Sequence, residues 1–201
     1  MKKKIVSLCL CVALLAVAVI GGTLAYFTDT TEVKTNVFTV GDVEIKLDEP
    51  EWEEPETVEP GIEYSKDPTV TNIGTSDAWV RINVTLSDWA AFKTAAAKHN
   101  ITDLSTIFAD HDATKWTRVS ITEDSEKDTV TYSYLFNEIL AAEEDTGALF
   151  TSVTVPAAFD NDDMEAIAGE DGKFTIDVYA EAIQDADFAD AAAAFDAFDD
   201  E

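Results

Sequence analysis

His99 and His111 are the only histidines in this chain of 201 residues, and they stand twelve positions apart. Zinc hydrolysis built on a helix uses His-Glu-x-x-His, which puts two imidazoles on one face with a glutamate as base. That spacing does not occur, so a zinc site would have to be completed by carboxylates, and the ordinary reading is two exposed or loop histidines. Nucleophilic chemistry is as thinly supplied. Gly74-Thr75-Ser76-Asp77-Ala78 begins like a nucleophile elbow but lacks the second glycine, and it follows a turn where a central parallel strand is needed. The acidic run Asp160, Asp162, Asp163 and Glu165 offers ligands of the calcium type. Met164 and Glu165, however, fill the fifth and sixth places of an EF-hand count, and the sixth requires glycine. A calcium site assembled from loops would join Asp160, Asp162 and Asp163 to Glu143, Glu144 and Asp145. No cofactor is expected apart from a possible calcium ion, and no catalytic residue.

The N-terminal segment carries a different kind of signal. Lys2, Lys3 and Lys4 lead into an apolar run over residues 5–20, followed by Gly21-Gly22-Thr23-Leu24-Ala25 and Tyr26-Phe27-Thr28-Asp29-Thr30. This is the positive, apolar and small-residue order of a secretory signal peptide. Thr23 and Ala25 fit the −3 and −1 positions, so cleavage is expected after Ala25, with Tyr26 as the new first residue. An uncleaved anchor is the alternative, because no charge interrupts residues 5–28, but Gly21-Gly22 weakens it. Lipidation does not fit: Cys9 and Cys11 lie inside the apolar run, each after a leucine. No Leu-Pro-x-Thr-Gly wall-sorting sequence is found.

Charge narrows the partners. The chain has 13 basic and 41 acidic side chains, a net charge of −28. Losing residues 1–25 removes three lysines and no acid, which brings the net charge to −31. Such a surface excludes nucleic acid as a ligand. Both cysteines leave with the leader, so neither disulfide nor thiolate chemistry remains. Residues 26–201 are enough for one domain with a sizeable core.

The elements that must position any site are mostly strands. Val43, Ile45 and Leu47 alternate with charged residues; so do Val80, Ile82, Val84 and Leu86, then Val130, Tyr132, Tyr134 and Phe136, and finally Phe174, Ile176, Val178 and Ala180. Period two with a polar partner set predicts half-buried strands with a wet outer face. Weaker strands are expected over 33–40, 69–73, 116–122 and 149–155. The fold class is therefore mainly β: a two-sheet, jelly-roll-like sandwich with a few short helices. One helix is capped by Ser87 or Asp88 and carries Trp89, Phe92 and Ala96. A second covers about 161–168 and stops at Gly169. A third, near 187–198, places Phe188, Phe195 and Phe198 on one stripe that docks on the chain's own sandwich. Residues 48–61 hold seven carboxylates, three prolines and Trp52, and read as an extended acidic loop.

Gly-Gly-Thr-Leu-Ala before Tyr-Phe-Thr-Asp-Thr, with Asn36-Val37-Phe38-Thr39-Val40-Gly41 shortly after, resembles exported proteins of the TasA and camelysin type. So do Pro60-Gly61, the run from Asn72 to Ile82, and the run from Tyr179 to Phe188. The resemblance implies a SipW-like signal peptidase as processing partner and a location in the medium, the extracellular matrix or the cell surface. It also implies a structural subunit of biofilm-matrix fibres whose partners are further copies of itself and other matrix proteins. In such fibres the mature N-terminal segment of one subunit completes a sheet of the next. Here the donor would be drawn from residues 26–37, with Phe27 and Val33 entering the acceptor groove. Self-repulsion at −31 should make assembly favoured by salt. Two other classes stand beside this one. Camelysin-like relatives have been described as metallopeptidases, against which the histidine inventory argues. A surface or carbohydrate-binding module would use tryptophans as platforms, but Trp79, Trp89 and Trp116 fall in expected strands or a helix, leaving only Trp52.

Overall fold

A computed structural model describes residues 28–31, 43–53, 55, 57–108, 110–169, 173–186 and 188–200. Its strands are β1 (Thr28–Thr31), β2 (Ile45–Asp48), β3 (Glu63–Ser65), β4 (Thr69–Asn72), β5 (Ala78–Leu86), β6 (Trp116–Asp124), β7 (Thr129–Phe136), β8 (Asp145–Ala148), β9 (Ser152–Thr154) and β10 (Ile176–Gln184). The helices are α1 (Trp89–Lys98), α2 (Asn161–Ile167) and α3 (Ala191–Asp199), with a 3-10 turn at Leu104–Phe108. Five strands form one antiparallel sheet in the order β1-β10-β5-β7-β6, three form a second in the order β2-β4-β8, and β3 pairs with β9 alone. The fold is mainly β, as the period-two runs require. The third, two-stranded sheet and the short strands β3 and β8 carry no alternation of their own, and the strand expected from Leu149 begins only at Ser152.

One core joins the sheets. Val80, Ile82, Val84 and Leu86 of β5, Val130, Tyr132 and Tyr134 of β7, and Val178, Ala180 and Ala182 of β10 meet Ile45 of β2 and Val70 of β4. α1 closes the core with Trp89 and Phe92, and Phe92 packs on Phe159 and Phe174 at ring separations of 5.3 and 5.7 Å. Phe108 of the 3-10 turn stacks on Phe150 at 4.9 Å. Three of the four tryptophans, Trp79, Trp89 and Trp116, are buried, as expected for packing residues.

Two sequence expectations change here. Asp88 precedes α1 in the left-handed region, at φ 51°, and its side chain caps nothing. It turns instead toward Gly169, where a Cβ would come within 2.7 Å of Asp88 Oδ1 and where φ is +60°. The cap comes from Asp128 in the β6–β7 turn, whose carboxylate accepts from Ala90 N at 2.8 Å and whose carbonyl accepts from Trp89 N at 3.1 Å. Second, the outer face of the large sheet is not wet throughout. Asn83 and Ser133 are buried in a network in which Asn83 donates to Glu181 and accepts from Ser133, and α3 lies over Trp79, Leu135 and Ile183 with Ala191, Ala194 and Phe195.

The two edges of the large sheet differ. β6 is a nine-residue edge whose register shifts between Arg118 and Ser120, so that Val119 bulges; Val119 and Ile121 are about half exposed. A bulge beside a charged residue, here Arg118, blunts an edge against further pairing. β1 at the other edge has only four residues.

Candidate functional site

Two places in the molecule answer to the residues singled out by sequence. The first is the β1 edge. β1 runs antiparallel to β10 with Thr28 opposite Ile183, Asp29 opposite Ala182, Thr30 opposite Glu181 and Thr31 opposite Ala180. The donor candidate thus lies on the chain's own sheet in this fold. Phe27 and Val33, and the cleavage residues Thr23, Ala25 and Tyr26, lie outside the described residues.

The second is a cluster where the C-terminus of α1 meets the N-terminus of α2. Asp160 is the N-cap of α2, and its carboxylate accepts from Asp163 N at 3.1 Å. Asp163 returns the bond by accepting from Asp160 N at 3.0 Å, a capping box in which Asp takes the place of the usual Glu. Into this box α1 delivers two more groups. His99 Nε2 stands 2.7 Å from Asp163 Oδ2, and Lys98 Nζ reaches Asp160 Oδ2 at 2.7 Å and Asp163 Oδ1 at 3.0 Å. The Asp160 backbone N–H, then His99 and Lys98, hold the Asp163 carboxyl far below the usual carboxylate range against the opposing effect of desolvation. Lys98 is raised in return, first by Asp160 and then by Asp163. His99 is therefore a half-buried capping residue of α1 and not a free loop histidine. His111 does lie in a loop, its ring 5.8 Å from that of Tyr134. Asp162 is exposed in the first turn of α2 and outside the cluster, and Glu143, Glu144 and Asp145 are not part of it. The Gly74–Ala78 segment is the polar turn expected: Asn72 Nδ2 donates to Ser76 O at 2.9 Å and Asn72 Oδ1 accepts from Gly74 N at 3.0 Å.

A sequence profile described as camelysin metallo-endopeptidase matches residues 1–178. The chain belongs to the camelysin family. No curated protein and no solved structure matches it significantly. The camelysin profile ends inside β10, so α3 and its contacts with the sheet lie beyond the matched residues.

The description of the camelysin family as metallo-endopeptidases makes metal fit a direct question. Among the described residues one group of potential ligands converges, His99, Asp160 and Asp163, with donor atoms within 4.8 Å of one another. It does not fit zinc. Two ligands bound to one tetrahedral zinc at about 2.0–2.1 Å stand roughly 3.3 Å apart, whereas His99 Nε2 and Asp163 Oδ2 are 2.7 Å apart, a direct hydrogen bond. All four carboxylate oxygens already accept bonds from Lys98, His99 or the cap backbone. The Lys98 ammonium supplies the positive charge at the position where a cation would be needed. Sequence reasoning named Asp160 and Asp163 but missed His99 and Lys98 as their partners, since 64 and 62 residues separate the bonded pairs.

Proposed function

We propose that this camelysin-family protein is a secreted structural subunit of extracellular matrix fibres that polymerises by donating its N-terminal segment after leader removal. The observation that carries the reading is the way β1 is held. It is four residues of Thr-Asp-Thr-Thr paired with the end of β10 by a continuous backbone ladder without a bulge, at an edge of the largest sheet. Strand addition at such an edge is backbone-driven and independent of side-chain identity, so the β1 of a neighbouring copy can form the same ladder. The opposite edge is bulged and so less suited to further pairing, which supports addition on the β1 side.

The test is negative-stain electron microscopy of the exported protein in about 0.15 M salt, where the Debye length is near 8 Å. Fibres are expected, and deleting residues 26–33 should abolish them while circular dichroism keeps the β signal. Isolated particles from the intact protein would overturn the reading. Peptidase function has a separate check: after equilibration with zinc and dialysis, well under one zinc per chain should remain, and any casein cleavage should be insensitive to chelator. Stoichiometric zinc lost together with His99→Ala would favour the peptidase.

A further inference from the structure

The segment between Lys46 and Lys66 carries eight acidic side chains and no basic one, a composition that by itself describes a self-repelling, solvated loop. It is instead pinned to the body of the fold. Lys66, only 4% exposed, donates to Glu49 Oε2 at 2.9 Å and stands 4.6 Å from the centroid of the Trp52 ring. Glu51 N donates to Asp67 Oδ1 at 2.9 Å, Tyr64 Oη accepts from Glu59 N at 2.7 Å, and Gly61 N donates to Val155 O at 2.8 Å. Held in this way, the segment walls one side of an open groove of about 340 Å3. Trp52, Val58 and Tyr64 line it from the segment, and Val153, Phe174 and Ile176 from the body.

We propose that this groove docks a basic peptide segment of another protein, which seats one or two apolar side chains in the groove and sets lysines or arginines against its acidic surroundings. The lining calls for an apolar group, and Val58 and Ile62 of the same segment remain 38% and 47% exposed. The surroundings call for a cation. Asp177 lines the groove and is exposed, as are Glu51, Glu53, Glu59 and Glu63 of the acidic segment. The one cation among the described lining residues, Lys66, is already paired with Glu49. A second copy of this chain, at a net charge of −28, and any anionic polymer would be repelled. A neutral glycan would draw nothing from the carboxylates. Because the wall is fixed before binding, little ordering cost falls on the groove itself.

The test is fluorescence anisotropy of two dye-labelled peptides, Lys-Lys-Leu-Phe-Lys-Lys and Lys-Lys-Gly-Ser-Lys-Lys, titrated with the exported protein in about 0.1 M salt, where the Debye length is about 10 Å. The first should bind about ten-fold tighter than the second, because only it fills the groove, and Trp52→Ala should remove that advantage. Val58→Asp adds a negative charge but puts it in the apolar seat, so it should weaken the first peptide about five-fold with circular dichroism unchanged. In about 1 M salt, where the Debye length is near 3 Å, both peptides should bind more weakly. Equal binding of the two peptides, tighter binding of the first by Val58→Asp, or no binding of either by the folded protein would overturn the proposal. A neutral chito-oligosaccharide that binds in a Trp52-dependent way while the peptides do not would overturn the peptide as occupant.

Discussion

The two ends of the described chain dock on the same five-stranded sheet by opposite means. β1 adds to an edge through backbone pairing with β10 over four positions. α3 covers a face: Ala194 and Phe195 are buried against Trp79, Leu135 and Ile183, and a polar clamp fixes the helix end. Arg81 Nη1 and Nη2 donate to the two Asp199 oxygens at 2.7 Å each, while Arg81 Nε donates to Glu181 at 2.5 Å. The same Glu181 oxygen accepts from Asn83 at 2.9 Å, and Asn83 accepts from Ser133 at 2.6 Å. The guanidinium lies 4.5 Å from the Phe195 ring centroid. Burial alone would lower the Arg81 pKa, but the bonds to Asp199 and Glu181 more than reverse that and raise it. The lesson is that an element tied by backbone pairing can be exchanged between copies, because the partner presents the same backbone. One tied by buried apolar surface and by an arginine held in a buried pair with Glu181 belongs to its own body.

The largest effect should come from breaking the clamp. Arg81→Ala leaves Glu181, 7% exposed, as an unpaired buried charge and should cost about 3–5 kcal/mol of unfolding free energy in urea titration. Phe195→Ala should follow with a loss of about 3 kcal/mol, and both variants should still form fibres wherever they remain folded. Deleting residues 26–33 should cost only about 1–2 kcal/mol, from a few pairings whose net contributions are about 0.5–1.5 kcal/mol each, yet remove fibres entirely. A stability loss as large as that of Phe195→Ala would erase the contrast between the ends.

Smaller effects sharpen the comparison. Asp163 has a folded pKa below its unfolded value near 3.9, so its stabilisation is complete above that value and fades as pH falls toward the folded one. Asp199 is lowered likewise by its hydrogen bonds from Arg81. The melting temperature gap between the intact protein and Asp163→Asn should be constant from pH 8 to 5 and close below about pH 4; a gap that closes at pH 6 would place the linkage on another group. Smallest of all is the salt response. Fibre yield should rise as ionic strength goes from about 0.01 to 0.15 M and shortens the Debye length from about 30 to 8 Å. The free energy of α3 docking should change less, since it rests mainly on buried apolar surface and only the half-exposed Arg81–Asp199 pair is open to screening.

Much of this was legible in the residues. The four strong period-two runs are β2, β5, β7 and β10, Trp89 and Phe92 mark the buried face of α1, and Gly169 ends α2. Where the sequence reading departs from the fold, the deciding contact is long-range. Asp88 has the right chemistry for a cap, but its left-handed backbone turns the carboxylate away and Asp128, 38 residues from Ala90, takes the role. Asn83 looks like a surface residue in sequence, but Glu181 and Ser133 from the neighbouring strands bond it in a buried network. His99 has no neighbour in sequence that foretells Asp163.

Sequence by itself determined the mainly β class, the acidic charge, the scarcity of metal-binding imidazole and the family, because alternation, composition and motif wording are local properties of the chain. Only the tertiary structure decided that β1 sits on the β10 edge and that Lys98 fills the place between Asp160 and Asp163. Those outcomes depend on which backbone edges and charges meet across many tens of residues, and the register that brings them together is set by packing of the whole sheet.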